Sequence, residues 1–299
     1  MNSIFYLKPH SMTNEEKQMV RNALMRYVSG FPTQGMAAES LPGISAPVIS
    51  NVKNDNWEAV SEQMWHNLAK LVGYYSPGWN TANTGAYLLL NILLRDARHF
   101  GAIHCAGICS GQGKTYVARQ YKLQYNNVLY VTGSEPHNKR SFFTALFHAL
   151  GLTGHPPVFE MTELLAAKIH ETEQPLLIID DAHLLKDRVL HAAVLLAQKL
   201  EGVLGVLFLG DHSFKSRIAN GFEQKKAGYD EIYKVLYPKF IGLPNNADSD
   251  IELVCRANGI TGMDSIAKII SGSSGNLHQA VQLIRQWINT CSIVLKHAA

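Results

Sequence analysis

Shortages in this sequence narrow its class before any motif does. Cysteine occurs only at Cys105, Cys109, Cys255 and Cys291, in neither paired C-x-x-C spacing nor the density of a secreted scaffold. That excludes a zinc ribbon and a disulfide framework and leaves reduced thiols. No apolar run reaches the roughly 18 residues of a membrane span. The opening MNSIFYLKPHSMTNEEK lacks a basic segment followed by an apolar one, so neither a leader nor a membrane partner is expected and the protein is read as cytoplasmic. Single-sign charge is scarce as well: 27 Lys and Arg against 24 Asp and Glu leave +3, too little to argue for or against nucleic acid. Internal repeats and low-complexity tracts are missing.

What is present is a globular composition, 46% hydrophobic and 17% charged, in 299 residues, which is enough chain for about two domains. Residues 13–72 predict short helices over 14–28, 33–40, 45–53 and 57–72, broken by Gly30-Phe31-Pro32, Leu41-Pro42-Gly43 and Asn54-Asp55-Asn56. The Gly/Pro/Asn-rich YYSPGWNTANTG then marks a boundary near residue 80. Beyond it, a helix at 87–98 leads into apolar strands at 102–106, 128–133, 176–180 and 205–211, with helices at 141–150, 163–172 and 186–200 between them. Continuous apolar strands alternating with helices predict a parallel sheet covered on both faces, hence an α/β class. After Pro244 only helical periodicity remains, giving domains at 1–80, 81–242 and 243–299.

CSGQGKT, residues 109–115, carries the first chemistry. A phosphate-binding loop needs glycines so that backbone N–H groups curl round a phosphate, a lysine for its oxygens and a hydroxyl for magnesium. Ser110, Gly111, Gln112, Gly113, Lys114 and Thr115 supply that set, although Ile108 stands where the first glycine of G-x-x-x-x-G-K-[ST] belongs. The competing reading is a glycine turn with a chance Lys-Thr. PLLIIDDAH, residues 175–183, adds two carboxylates at a strand end: Asp180 to hold Mg2+ through water and Asp181 to orient or deprotonate the attacking water. Aspartate is one methylene shorter than glutamate, so slow hydrolysis is expected; alternatively Asp181 only caps the next helix. FLGD, residues 208–211, ends a further strand in Asp211, within reach of a γ-phosphate. Together the three strand ends call for ATP and Mg2+ as cofactors.

MAAESLPGISAPVISNVKN, residues 36–54, has a helix, a glycine turn and a second helix whose Ile49 and Val52 face inward while Ser50, Asn51, Lys53 and Asn54 face out. Short polar and cationic side chains on such a helix suit the major groove of double-stranded DNA. Over residues 1–75, however, Lys8, Lys17, Arg21, Arg26, Lys53 and Lys70 are balanced by Glu15, Glu16, Glu39, Asp55, Glu58 and Glu62. That neutrality leaves open a protein-interaction or oligomerisation module.

CSGQGKTYVARQY with NNVLYVT after it, LLIIDDAHLL, VLFLGDHSF and SGNLHQAVQLI, in this order, resemble the AAA+ ATPases of the DNA-transposition type, the family of phage Mu transposition protein B and the TnsC-like target-selection regulators. The resemblance spans nearly the whole chain and implies an AAA+ P-loop core with a helical lid, preceded by a small all-α helix-turn-helix domain. It maps sensor I to Asp211, sensor II to His278 in place of the commoner arginine, and the arginine finger offered to a neighbouring subunit to Lys239 in VLYPKFIGL. It also implies that the loop HNKR, residues 137–140, lines the inside of a filament, with Lys139 and Arg140 on DNA phosphates. A second basic run, with Lys215, Arg217, Lys225 and Lys226, lies beside DNA or is simply solvated. Lysine lacks the bidentate fork of arginine and an ordinary histidine is mostly neutral, so a slow, switch-like ATPase is expected.

The function so implied is an ATP-dependent DNA-binding regulator of transposition that assembles as a ring or helical filament on duplex DNA, selects the target and activates a transposase. Two alternatives stay open: a signalling or phage-defence ATPase whose N-terminal domain binds protein, and a helicase or replication loader.

Overall fold

The computed structural model describes Met12 and residues 14–72, 79–133 and 138–297. The opening segment 1–11, part of the Gly/Pro/Asn-rich stretch (73–78) and His137 of HNKR lie outside the described residues. Two compact units are present: Met1–Trp79 with His148–Thr153, and Asn80–Phe147 with Gly154–Ala299. The helical segment after residue 243 therefore belongs to the same unit as the sheet.

The first unit contains α1 (Asn14–Ser29), α2 (Gln34–Glu39), α3 (Ala46–Lys53), a 3-10 turn at Trp57–Ala59 and α4 (Glu62–Leu71). Thr33 opens α2 by accepting the Met36 N–H, and Pro47 stands in the first turn of α3, where its missing donor costs nothing. The turn between these helices relies on Gly43 at φ 74°, a left-handed value that favours glycine. Leu24, Ile49, Val52, Trp65 and Leu68 are fully buried against one another, with Trp57 edge-on to Trp65 at 5.6 Å. The stretch 57–72 is not one helix. After the 3-10 turn the chain re-enters a helix at Ser61, whose hydroxyl accepts the Met64 N–H at 3.2 Å.

The second unit is built on five parallel strands: β1 (Ile103–Gly107), β2 (Val128–Thr132), β3 (Leu176–Asp180), β4 (Gly205–Gly210) and β5 (Phe240–Gly242), in the order β2-β3-β4-β1-β5. Every residue of β3 and β4 is buried, as the interior strands of a sheet covered on both faces must be. Helix α5 (Gly85–Phe100) is capped by Thr84 and stopped by Gly101, where a Cβ would come 2.3 Å from the Gly202 carbonyl carbon. Then come α6 (Lys114–Gln124), α7 (Lys139–Ala149), α8 (Val158–His170), α9 (Asp187–Lys199), α10 (His212–Glu223), α11 (Tyr229–Leu236), α12 (Asp248–Ala257), α13 (Met263–Ser273) and α14 (Leu277–His297). This is an α/β fold. Among the described residues no helix is long and apolar enough to cross a membrane.

Two further expectations change at this level. Lys139 and Arg140 are not in a loop: they form the first turn of α7, entered through an Asn138–Ser141 cap in which Asn138 Oδ1 accepts the Ser141 N–H at 2.9 Å. The second basic run is not a simple solvated stretch either. Arg217 is held inside the fold, donating to the carbonyls of His183 at 2.7 Å and Leu185 at 2.6 Å, to the Asp187 carboxylate at 2.6 Å and to Tyr229 Oη at 3.1 Å. Lys215, Lys225 and Lys226 are exposed.

Candidate nucleotide site

The parallel sheet sends the C-terminal ends of β1, β3 and β4 to one edge, and the polar residues that follow them meet there. After β1 the chain forms the loop 108–113, with Gly111 at φ 78° and Gly113 at φ 91°, and α6 starts at Lys114. Loop N–H groups and a helix N-terminus at one place make an anion site. Ile108, in place of the first motif glycine, is fully buried in the core beside the sheet, so here that position supplies packing and leaves the loop's curl to Gly111 and Gly113. Lys114 is only 7% exposed; its Nζ donates to the carbonyls of Ile108 at 3.0 Å and Cys109 at 3.4 Å. Burying an ammonium costs several kcal/mol, and among the described residues no carboxylate forms an ion pair with this one. Phosphate oxygens would supply that charge.

Asp180 closes β3 with no exposure at all. Its Oδ1 accepts the Asp181 N–H at 3.0 Å and its Oδ2 accepts the Tyr130 hydroxyl at 2.8 Å. Asp181 adopts a left-handed backbone at φ 50°, strained for a residue with a Cβ. Its main chain is pressed against Gly133, where a Cβ would lie 2.3 Å from the Asp181 carbonyl oxygen. Asp181 precedes the 3-10 turn Ala182–Leu184 and makes no side-chain cap bond, so helix capping does not account for it. Burial first, and Asp180 second, push its carboxyl above the usual carboxylate range, partly offset by His183 and Lys114.

Asp211 follows β4 and caps α10, accepting from the Ser213 N–H at 2.9 Å and its hydroxyl at 2.5 Å. Partial burial raises its carboxyl, but the Ser213 bonds, His183 and Lys114 outweigh this and leave it lowered, hence ionised. His183, not singled out in the sequence, stands between the carboxylates: Nε2 is 3.6 Å from Asp211 Oδ2, and Nδ1 is buried with no hydrogen-bond partner. Lys114, Asp180, Asp181, His183 and Asp211 thus form one cluster.

The helical segment after residue 243 reaches this loop through contacts that spacing could not reveal. Gln112, buried, donates from Nε2 to the Gly275 carbonyl at 3.1 Å and accepts the Asn246 N–H at 2.7 Å. Asn276 packs where a Cβ on Gly111 would sit, 2.4 Å from its Oδ1. His278 donates its backbone N–H to the Gly111 carbonyl at 3.0 Å, while its exposed ring pairs with Gln282 at 3.1 Å along α14. Its ring is thus engaged on its own helix, and the contact with the loop is made by its backbone.

Other predicted residues lie elsewhere. Lys239 precedes β5, at the sheet end opposite the loop, and pairs with Glu201 at 2.6 Å, so it takes no part in this chain's own cluster. Lys139 and Arg140 are exposed at the start of α7, with Arg140 donating to the His155 carbonyl at 3.2 Å. In α3, Ile49 and Val52 are buried, Ser50 and Asn51 are half-buried and Lys53 is exposed. Asn54 donates to Ser50 Oγ at 3.3 Å and Asn56 to Asn51 Oδ1 at 3.4 Å. Thr115 is half-buried in the first turn of α6, beside Lys114. Cys105, Cys109 and Cys255 are free thiols, and no group of His, Cys, Asp or Glu among the described residues forms a metal-binding cluster.

Compared with known proteins, the chain matches no curated sequence. Residues 98–218 match the family model described as AAA domain, a span that holds the loop, β1 to β4, Asp180, Asp181 and Asp211. Residues 98–218 are an AAA-type ATPase domain.

Proposed function

We propose that the protein is an ATP-dependent DNA-binding regulator of transposition. With ATP it assembles on duplex DNA as a ring or filament, marks a target and activates a transposase; slow hydrolysis lets it disassemble. The observation that carries the nucleotide part is the meeting of Lys114, Asp180, Asp181 and Asp211 at the ends of three adjacent strands within the AAA domain. Support for the DNA and transposase part comes from the sequence resemblance along the rest of the chain.

In this reading the loop 110–113 and Lys114 hold the phosphates, and Thr115 and Asp180 hold the magnesium. A magnesium ion held by these two residues would supply positive charge to offset that of the phosphates. Asp181, its carboxyl made more basic by burial and Asp180, takes a proton from water. Asp211, ionised and fixed by Ser213, is suited to orienting water through a hydrogen bond and ill suited to stabilising phosphate charge. Together with the short Asp181 side chain this supports slow turnover. Lys239 faces away from its own cluster, which suits a contribution to a second copy's site.

A second reading, a signalling ATPase whose first unit binds protein, is favoured by one observation: Ser50 and Asn51 already accept hydrogen bonds from Asn54 and Asn56. Electron microscopy with duplex DNA and a slowly hydrolysed ATP analogue separates the two. Rings or filaments that need both are expected, together with DNA-stimulated hydrolysis. Hydrolysis indifferent to DNA and no assembly on it would favour the second reading.

A further inference from the structure

Tyr130 is the side chain in this cluster that the nucleotide reading leaves without a task. It lies in β2, the edge strand, in register beside Ile178 of β3. A strand residue packed against a sheet needs only an aromatic ring at that position, and phenylalanine would serve. Its hydroxyl nevertheless donates at 2.8 Å to Oδ2 of Asp180, a carboxylate with no exposure. On the other side stands Arg119 of α6, its guanidinium carbon 5.9 Å from the ring centroid. A cation, a phenol and a buried carboxylate therefore form a chain from the helix that the phosphate loop opens to the end of β3.

We infer that Tyr130 is a positioning residue for magnesium: its hydroxyl, steadied by Arg119, fixes the rotation of the Asp180 carboxylate so that the remaining lone pairs face the phosphate loop. The inference rests on the nucleotide reading of the site and concerns the residues behind the metal ligand. Asp180 has two oxygens. Oδ1 is turned back to the Asp181 N–H, and Oδ2 is held by the phenol. Without the phenol a carboxylate out of contact with water leaves an acceptor unpaired and free to rotate, at a cost of about 1–3 kcal/mol. The phenol O–H is the donor in this pair, since the carboxylate oxygen can only accept. Outer partners of this kind typically change metal affinity about 10–100-fold when removed.

The test is Tyr130→Phe, which keeps the ring and removes the donor. Binding of a fluorescent ATP analogue is measured first without divalent ion and then over a magnesium titration. In metal-free buffer the affinity is expected to match wild type within about twofold, while the magnesium half-saturation rises about tenfold. Arg119→Gln leaves the phenol in place and is expected to raise it about threefold. An unchanged magnesium half-saturation in Tyr130→Phe overturns the inference. Equal loss with and without magnesium also overturns it, because the hydroxyl then supports the fold and not the ion. A wild-type protein that binds no nucleotide in either buffer removes the nucleotide reading itself, and the inference with it.

Discussion

The phosphate loop and the helix-turn-helix candidate treat polar groups in opposite ways. In the second unit Lys114 and Asp180 are buried, as are Gln112 and Asn246 around them. In the first unit no charged side chain among the described residues is fully buried: its ion pairs reach solvent through their carboxylates, as in the Arg21–Asp55 pair at 2.9 Å and the Lys17–Glu62 pair, whose cations are partly covered. Burying a charge costs several kcal/mol and persists only where something offsets it, whereas a surface ion pair contributes about 0–1 kcal/mol and constrains little. The buried set therefore says much about what it binds, and the surface set says little about its partner.

The largest expected effect comes from removing the buried cation. Lys114→Ala takes away a donor to phosphate oxygens in a site shielded from water, worth about 3 kcal/mol or more, on the order of a hundredfold in nucleotide affinity. Calorimetry with ATP and magnesium checks it, and retained affinity would leave the loop as an ordinary glycine turn. Asp181→Asn tests the same cluster one step later. Nucleotide affinity should stay near wild type while hydrolysis falls on the order of a hundredfold, because an amide orients water but does not accept its proton. Unchanged turnover would reduce Asp181 to a strained link between β3 and the 3-10 turn.

How much of this was legible in the sequence follows from the same contrast. β3 and β4 stand out because strands buried on both faces are unbroken apolar runs, and Lys114 with Asp180 and Asp181 stand out because charge beside such runs is costly. β5 has three residues on a sheet edge, too few for a periodic signal. α10 and α11 were hidden because their cationic residues looked like a solvated run, although Asp211 followed by Ser213 is an N-cap signal. Ser61 likewise marked the restart of α4 inside what looked like one helix. Tyr130, His183 and the Gln112 contacts with Asn246 and Gly275 join positions 50 or more apart or carry no motif, and only the folded sheet brings them together.

A smaller effect is expected where cations are exposed. If Lys139 and Arg140 touch the phosphate backbone, replacing both with alanine weakens binding to every duplex about equally and lowers the salt slope by about one to two units. Arg140 already spends one donor on the His155 carbonyl, so Lys139→Ala alone should account for at least half of the change. Fluorescence anisotropy across a salt series with ATP present measures it. A slope equal to wild type would free the start of α7 from any DNA role.

The smallest effect, and the one that most sharpens the comparison, concerns α3. Asn51→Ala with Lys53→Ala removes one half-buried and one exposed side chain and leaves the inward positions of α3, Ile49 and Val52, in place. The first unit should therefore keep its fold, losing at most the long Asn56–Asn51 hydrogen bond at 3.4 Å. If α3 reads base edges, preference among duplex sequences changes by about 1 kcal/mol per lost contact while the salt slope moves by less than about one unit. That pattern is the reverse of the one expected for Lys139 and Arg140, because contacts to bases specify while contacts to phosphates position. Binding of a randomised duplex pool with ATP, sequenced before and after selection, checks both variants at once. An unaltered sequence profile in the α3 variant would assign this unit's surface to a protein partner, and its balanced charge would then be the feature that described it best.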